Sequence, residues 1–143
     1  MHFLIRAACL LAAGAAGWAL AKRGTKHTDM QDDPHVVYLS DEDAVIEAGR
    51  WVAVPGTSEH QSGLAVDIMS SSYLVLDEGQ ENTKEQQWLM ENSYKYGFIL
   101  RYPNNKTEIT GIYYEPWHYR YVGVVAATEI YERGICLEEY LLG

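Results

Sequence analysis

The chain has 143 residues, 48% of them hydrophobic and 22% charged, which is enough for one folded core and too few for two. Eleven Lys and Arg stand against 20 Asp and Glu, and the resulting net charge of −9 excludes a nucleic-acid partner, because phosphate binding needs a basic footprint. The two cysteines, Cys9 and Cys136, form no Cys-x-x-Cys pattern, so neither a thiolate metal site nor a disulfide framework is expected.

Residues 1–21 differ from the rest. Met1–Arg6 is short and basic, Ala7–Trp18 is apolar, and Ala19-Leu20-Ala21 fits a small-x-small cleavage site, which is the layout of a secretory signal peptide. An uncleaved anchor, with membrane association, is the alternative, although the apolar run is shorter than the ~20 residues of a spanning helix. Lys22 and Arg23 weigh against simple export, and an artefactual start is a third reading. Cleavage would remove Cys9 and leave Cys136 unpaired. Residues 22–35 are polar and aperiodic and read as a linker, with His27 and His35 as surface histidines.

From Val36 onward the pattern is that of a folded domain. Ser40-Asp41-Glu42-Asp43 gives an acidic start to a short helix that Gly49 would stop. Val54–Thr57 is a loop. In Leu64–Ile68, alternation places Leu64, Val66 and Ile68 on one strand face and Ala65 and Asp67 on the other. Thr83-Lys84-Glu85-Gln86 is a capping box opening a helix to about Tyr96, closed by Gly97. Phe98–Tyr102 is a strand stopped by Pro103, and Asn104-Asn105-Lys106 is a turn. Ile112–Tyr121 is aromatic and β-prone. A last helix covers about Val122–Arg133, with Val122, Val125, Ala126 and Ile130 as its buried stripe. Helices and strands mix without βαβ alternation, so the fold class is α+β.

Two segments carry chemistry, Ser58–Asp67 and Glu115–His118. His60, Asp67 and His118 form a two-histidine, one-carboxylate set suited to zinc, and three protein ligands leave the open position of a catalytic site. A histidine beside apolar residues is ordinarily a packed or surface residue, so His60 alone says little. Asp67 changes that reading, since a strand carboxylate on the face of Ala65 is costly to bury unless paired or metal-bound. Gly63 lets the backbone turn between the first two ligands. Glu115 lies three residues before His118, and Pro116 between them suggests a bulge that brings both to one cleft, where Glu115 serves as general base. The residues read as a zinc hydrolase.

The pattern Ser58-x-His60-x-x-Gly63-x-Ala65-x-Asp67 with Glu115-x-x-His118 resembles the zinc D-Ala-D-Ala carboxypeptidases of the VanY type, in the group that includes lysostaphin-type peptidases and hedgehog domains. The likeness runs through residues 51–60, 94–103 and 113–123. It implies a small antiparallel sheet flanked by helices and carrying zinc on His60, Asp67 and His118. It implies Glu115 as the base, Ser58 as a substrate hydrogen-bonder, and the D-Ala-D-Ala end of peptidoglycan stem peptides as substrate. Action would be extracytoplasmic, by a monomer. One departure stands out, because the family's upstream Tyr-Arg-Ser segment, whose arginine polarises the scissile carbonyl, is not found. Arg101 and Arg120 are the candidates to replace it, with Trp117 as a further substrate contact, although a salt-bridged arginine is the plainer reading of each. The alternative function is a truncated, weakly active or inactive zinc-containing module that binds cell-wall peptides, and L,D-carboxypeptidase specificity is a variant of the enzyme reading.

Overall fold

The computed structural model describes residues 40–143 and the backbone of Phe3–Arg6. The leader and linker expected over residues 1–35 lie outside the described residues, apart from Phe3–Arg6, which pair as a strand. Two units are distinguished, one containing Cys9–Gly56 and the other Met1–Ala8 with Thr57–Gly143.

The first unit contributes helix α1, Asp41–Trp51. The Ser40 hydroxyl caps it by accepting from the Asp43 N–H at 3.1 Å, and the acidic first turn complements the helix dipole. Gly49 does not stop it as expected. The helix continues to Trp51, whose indole N–H donates to Glu47 at 3.2 Å across one turn. A lone glycine costs a helix only ~1 kcal/mol, so it ends a helix only where a left-handed cap forms.

The second unit holds a fully antiparallel sheet in the order β1-β2-β4-β3, with β1 Phe3–Arg6, β2 Ala65–Ser70, β3 Phe98–Leu100 and β4 His118–Tyr121. Four helices accompany it: α2 Lys84–Asn92, α3 Thr107–Thr110, α4 Val124–Arg133 and α5 Leu137–Leu142. The α+β class and the small antiparallel sheet flanked by helices are as expected.

Neighbouring residues of β4 serve opposite faces of the sheet. Tyr119 is fully buried, and its hydroxyl donates to the Gln86 carbonyl of α2 at 3.2 Å. The Gln86 amide in turn donates to the Ile68 carbonyl, so α2 is tied to both central strands on that face. On the other face Ile99 packs with Ala127 and Ile130 of α4. Gln80, also fully buried, accepts from the Ser70 N–H at 3.1 Å and donates to the carbonyls of Tyr73 and Val75. That side chain pins the loop that follows β2.

The buried stripe of α4 corrects the sequence reading. The helix begins at Val124 after Gly123, which sets its core positions at Ala127 and Ile130, while Val125 is 82% exposed. Val122 precedes the helix and packs on the core from the loop. Helix α2 is capped by Thr83 as expected, and its last turn, Ser93–Tyr96, tightens to a 3-10 helix before Gly97. The short helices α3 and α5 were not anticipated from sequence. Each is under two turns, too short for a periodic stripe, and α5 starts on Cys136, an unusual cap residue.

Gly97 turns the chain from α2 into β3 with φ +84°, and a Cβ there would lie 2.7 Å from the Tyr121 ring and 3.1 Å from the Gly123 carbonyl carbon. A left-handed L residue costs about 1–2 kcal/mol before any clash. Gly97→Ala is therefore expected to lower unfolding stability by more than about 2 kcal/mol in urea titration. An unchanged midpoint would show that the turn relaxes freely.

Candidate metal centre

The pairing of β2 with β4 builds the site. Asp67 and His118 are direct cross-strand partners, so their side chains leave the same face of the sheet. The third group arrives by a loop. Ser58 leads into a 3-10 turn over Glu59–Ser62 that Gly63, at φ +71°, closes, and this folds His60 back over Asp67. Gly63 plays the part expected of it. The carboxylate oxygen Asp67 Oδ1 lies 3.4 Å from His60 Nε2 and 3.2 Å from His118 Nδ1. The two imidazoles stand edge to face with centroids 4.7 Å apart.

Glu115 joins them through a turn rather than a strand bulge. The His118 N–H donates to the Glu115 carbonyl at 3.1 Å, with Pro116 and Trp117 as the central pair. Pro at the first central position pre-sets that turn, and the turn brings residues i and i+3 together where a strand would have parted them. Glu115 Oε2 ends 3.5 Å from His118 Nδ1. Burial, reinforced by the charges of Asp67 and Glu59, pushes the Glu115 carboxyl up to about 7 against the opposing pull of the histidines. Burial would also raise Asp67, but the two histidines outweigh it and hold that carboxyl near 2.

A metal ion suits this donor set. One nitrogen or oxygen from each of His60, Asp67 and His118 lies within 4.8 Å of the others. Asp67 Oδ1 is buried with no hydrogen-bond partner, although two ring nitrogens face it. A buried carboxylate oxygen without a donor is costly unless a cation takes that place. Two imidazoles and a carboxylate are the ligand types of catalytic zinc sites.

The residues considered for substrate fall differently. Arg101 is 8% exposed, and its donors go to Glu59 at 2.8 Å and, as a fork, to Glu138 of α5 at 3.0 and 2.6 Å. That guanidinium ties the end of β3 to the Glu59–Ser62 turn and to α5, which is the salt-bridged reading of this arginine. Arg120 Nη1 lies 3.3 Å from Glu59, and the side chain keeps 21% exposure. Ser58 and Trp117 are half-buried. Glu59 was missed in the sequence, where it reads as one more surface acid beside a ligand. It ion-pairs with Arg101, Arg120 and His118 at once. The alternation of polar types around His60 carries no signal for that.

Comparison with known proteins agrees with the geometry. The family "VanY: D-alanyl-D-alanine carboxypeptidase" matches residues 18–124, beginning within the segment read as a leader. A D-alanyl-D-alanine carboxypeptidase of Enterococcus faecalis (strain ATCC 700802 / V583) is 62% identical over 98 residues, 68% of this chain and 35% of that protein. A mutant of the vancomycin-resistance D,D-pentapeptidase VanY from a VanB-type cassette, solved in complex with Zn(II), has a TM-score of 0.60 and 56% identity, covering 72% of this chain and 55% of that one. VanYB in complex with D-alanine-D-alanine has a TM-score of 0.65 and 46% identity, covering 90% of this chain and 65% of that one. The chain thus spans about a third of the length of the curated relative it matches.

Proposed function

Because the chain belongs to the VanY D-alanyl-D-alanine carboxypeptidase family, we propose that it is a zinc-dependent carboxypeptidase releasing the terminal D-alanine of peptidoglycan stem peptides. The observation that carries this reading is the convergence of His60, Asp67 and His118, with Glu115 beside them, on one face of β2 and β4. The solved relatives bound to Zn(II) and to D-alanine-D-alanine support the same metal and peptide end here.

His60, Asp67 and His118 would hold the ion. Zinc supplies Lewis acidity there, polarising a carbonyl oxygen and acidifying water. Glu115, next to the ligands but outside their set, takes the proton of the attacking water and returns it to the departing amine of D-alanine. Its partial burial raises its affinity for that proton. Arg120, which keeps 21% side-chain exposure beside Glu59, is the remaining cation for the substrate, with Ser58 and Trp117, both half-buried, as further substrate contacts. One chain carries every one of these groups, so a monomer suffices. Stem peptides lie outside the cytoplasm, and extracytoplasmic action follows from the substrate. Among the described residues no helix is long and apolar enough to cross a membrane.

The test combines metal content with product release. The zinc-loaded protein is expected to hold about one zinc per chain and to free D-alanine from an acyl-D-Ala-D-Ala peptide faster than from an acyl-L-Lys-D-Ala peptide. Asp67→Ala should lose the zinc, and chelation should lower the melting temperature of wild type, since a ligand bound only by the folded state adds to its stability. Tight zinc binding with no D-alanine from either peptide would replace the enzyme with a peptide-binding module. Faster release from the L,D peptide would reverse the assigned specificity.

A further inference from the structure

His118 has two ring nitrogens, and the structure gives each a different neighbour. Nδ1 faces the site, 3.2 Å from Asp67 Oδ1 and 3.5 Å from Glu115 Oε2. Nε2 faces away, 3.6 Å from Glu59 Oε2. Both Nε2 and Glu59 Oε2 are buried, and neither has a hydrogen-bond partner. Arg120 Nε is also buried and unpartnered, on a side chain that reaches the other oxygen of Glu59. The other oxygen of the same carboxylate is occupied, because Glu59 Oε1 accepts from Arg101 Nε at 2.8 Å and lies 3.3 Å from Arg120 Nη1. Arg101 is itself fixed by the two oxygens of Glu138. The chain of contacts runs from helix α5 through Arg101 and Glu59 to the back of the His118 ring.

An imidazole that ligates through one nitrogen must carry its proton on the other, and a carboxylate at that second nitrogen selects the tautomer and the ring angle. We propose that Glu59 is the positioning residue of the metal centre: it holds the Nε2–H tautomer of His118, so that the Nδ1 lone pair faces Asp67 and Glu115, and Arg101 with Arg120 holds Glu59 in place. Glu59 touches neither substrate nor reacting atoms. Its effect passes through His118. The inference rests on the metal-site reading above and deepens it.

Loss of such an outer carboxylate typically weakens metal binding by 10- to 100-fold. Zinc affinity, measured by chelator competition, should therefore fall by about that factor in Glu59→Ala and by less in Glu59→Gln, whose amide oxygen can still accept from Nε2. Cobalt-substituted Glu59→Gln should show an altered ligand-field spectrum, a readout that a purely structural role would leave unmoved. Nitrogen NMR of the zinc-loaded wild type, which needs no variant to fold, should show His118 protonated on Nε2 and bound through Nδ1. Zinc bound through Nε2 would overturn the proposal, as would affinity and cobalt spectrum both unchanged in Glu59→Gln. A wild type that binds no zinc at all would instead remove the metal-site reading itself, and this inference with it.

Discussion

Glu115→Gln is expected to keep zinc at about one per chain while D-alanine release from an acyl-D-Ala-D-Ala peptide falls by a hundred- to ten-thousandfold. The amide has nearly the shape of the carboxylate, so the Glu115–His118 turn, whose hydrogen bond is made by backbone atoms, should persist. What disappears is the group that accepts a proton, and positioned general bases typically contribute a factor of that size. Metal analysis and product assay on the same preparation make the check. Equal rates for variant and wild type would mean that Glu115 is not the base. Lost zinc would mean that its carboxylate belongs to the ligand set and that the three-ligand assignment is incomplete.

Arg101→Met is expected to be the most damaging single change to the scaffold. The substitution keeps most of the apolar stem but removes the partner of two carboxylates that are 18% and 29% exposed, Glu59 and Glu138. Removing one member of a buried ion pair typically costs 3–5 kcal/mol, because the partner's charge stays behind without compensation. In a domain of this size that corresponds to a fall in melting temperature of more than about 10 °C. The acid side of the stability curve should change as well. Burial alone would raise the Glu138 carboxyl, but hydrogen bonds from Arg101 outweigh it and hold it below its ordinary 4.5. A carboxyl lowered by folding lends stability that is full above its unfolded value and drains as pH falls through the folded one. Wild type should therefore lose stability below about pH 4.5 more steeply than Arg101→Met does. A variant melting within a few degrees of wild type would show Arg101 to be dispensable to the fold and would return it to the candidates for substrate binding.

The candidate ligand set was legible in the chain because its meaning is local. Two histidines and a carboxylate in two short motifs, with Gly63 at a turn and Asp67 on an alternating strand, already limit the chemistry to a metal centre. The capped helix after Thr83 and its stop at Gly97 were legible for the same reason, since caps and left-handed turns are properties of a few consecutive residues. Features that depend on partners far along the chain were not. Pro116 signalled an irregularity, but only the hydrogen bond from His118 to Glu115 distinguishes a turn from a bulge. The stripe of α4 slipped because Val125 is as apolar as Ala127, and only the packing of Ile99 chooses between them.

By itself, then, the amino-acid sequence determined the class of fold, the three residues that could hold a metal, the carboxylate proposed as the base beside them, and the acidic character of the chain. Tertiary structure decided the use of the arginines. Arg101 lies 42 residues from Glu59 and 37 from Glu138 along the chain, and nothing local to any of them predicts that all three meet. Their meeting depends on where β3 runs beside β4 and where α5 returns, and a buried guanidinium must find carboxylates wherever the backbone has placed them. The side of the His118 ring that faces the metal site was decided the same way, by the cross-strand pairing with Asp67 at one nitrogen and the approach of Glu59 at the other.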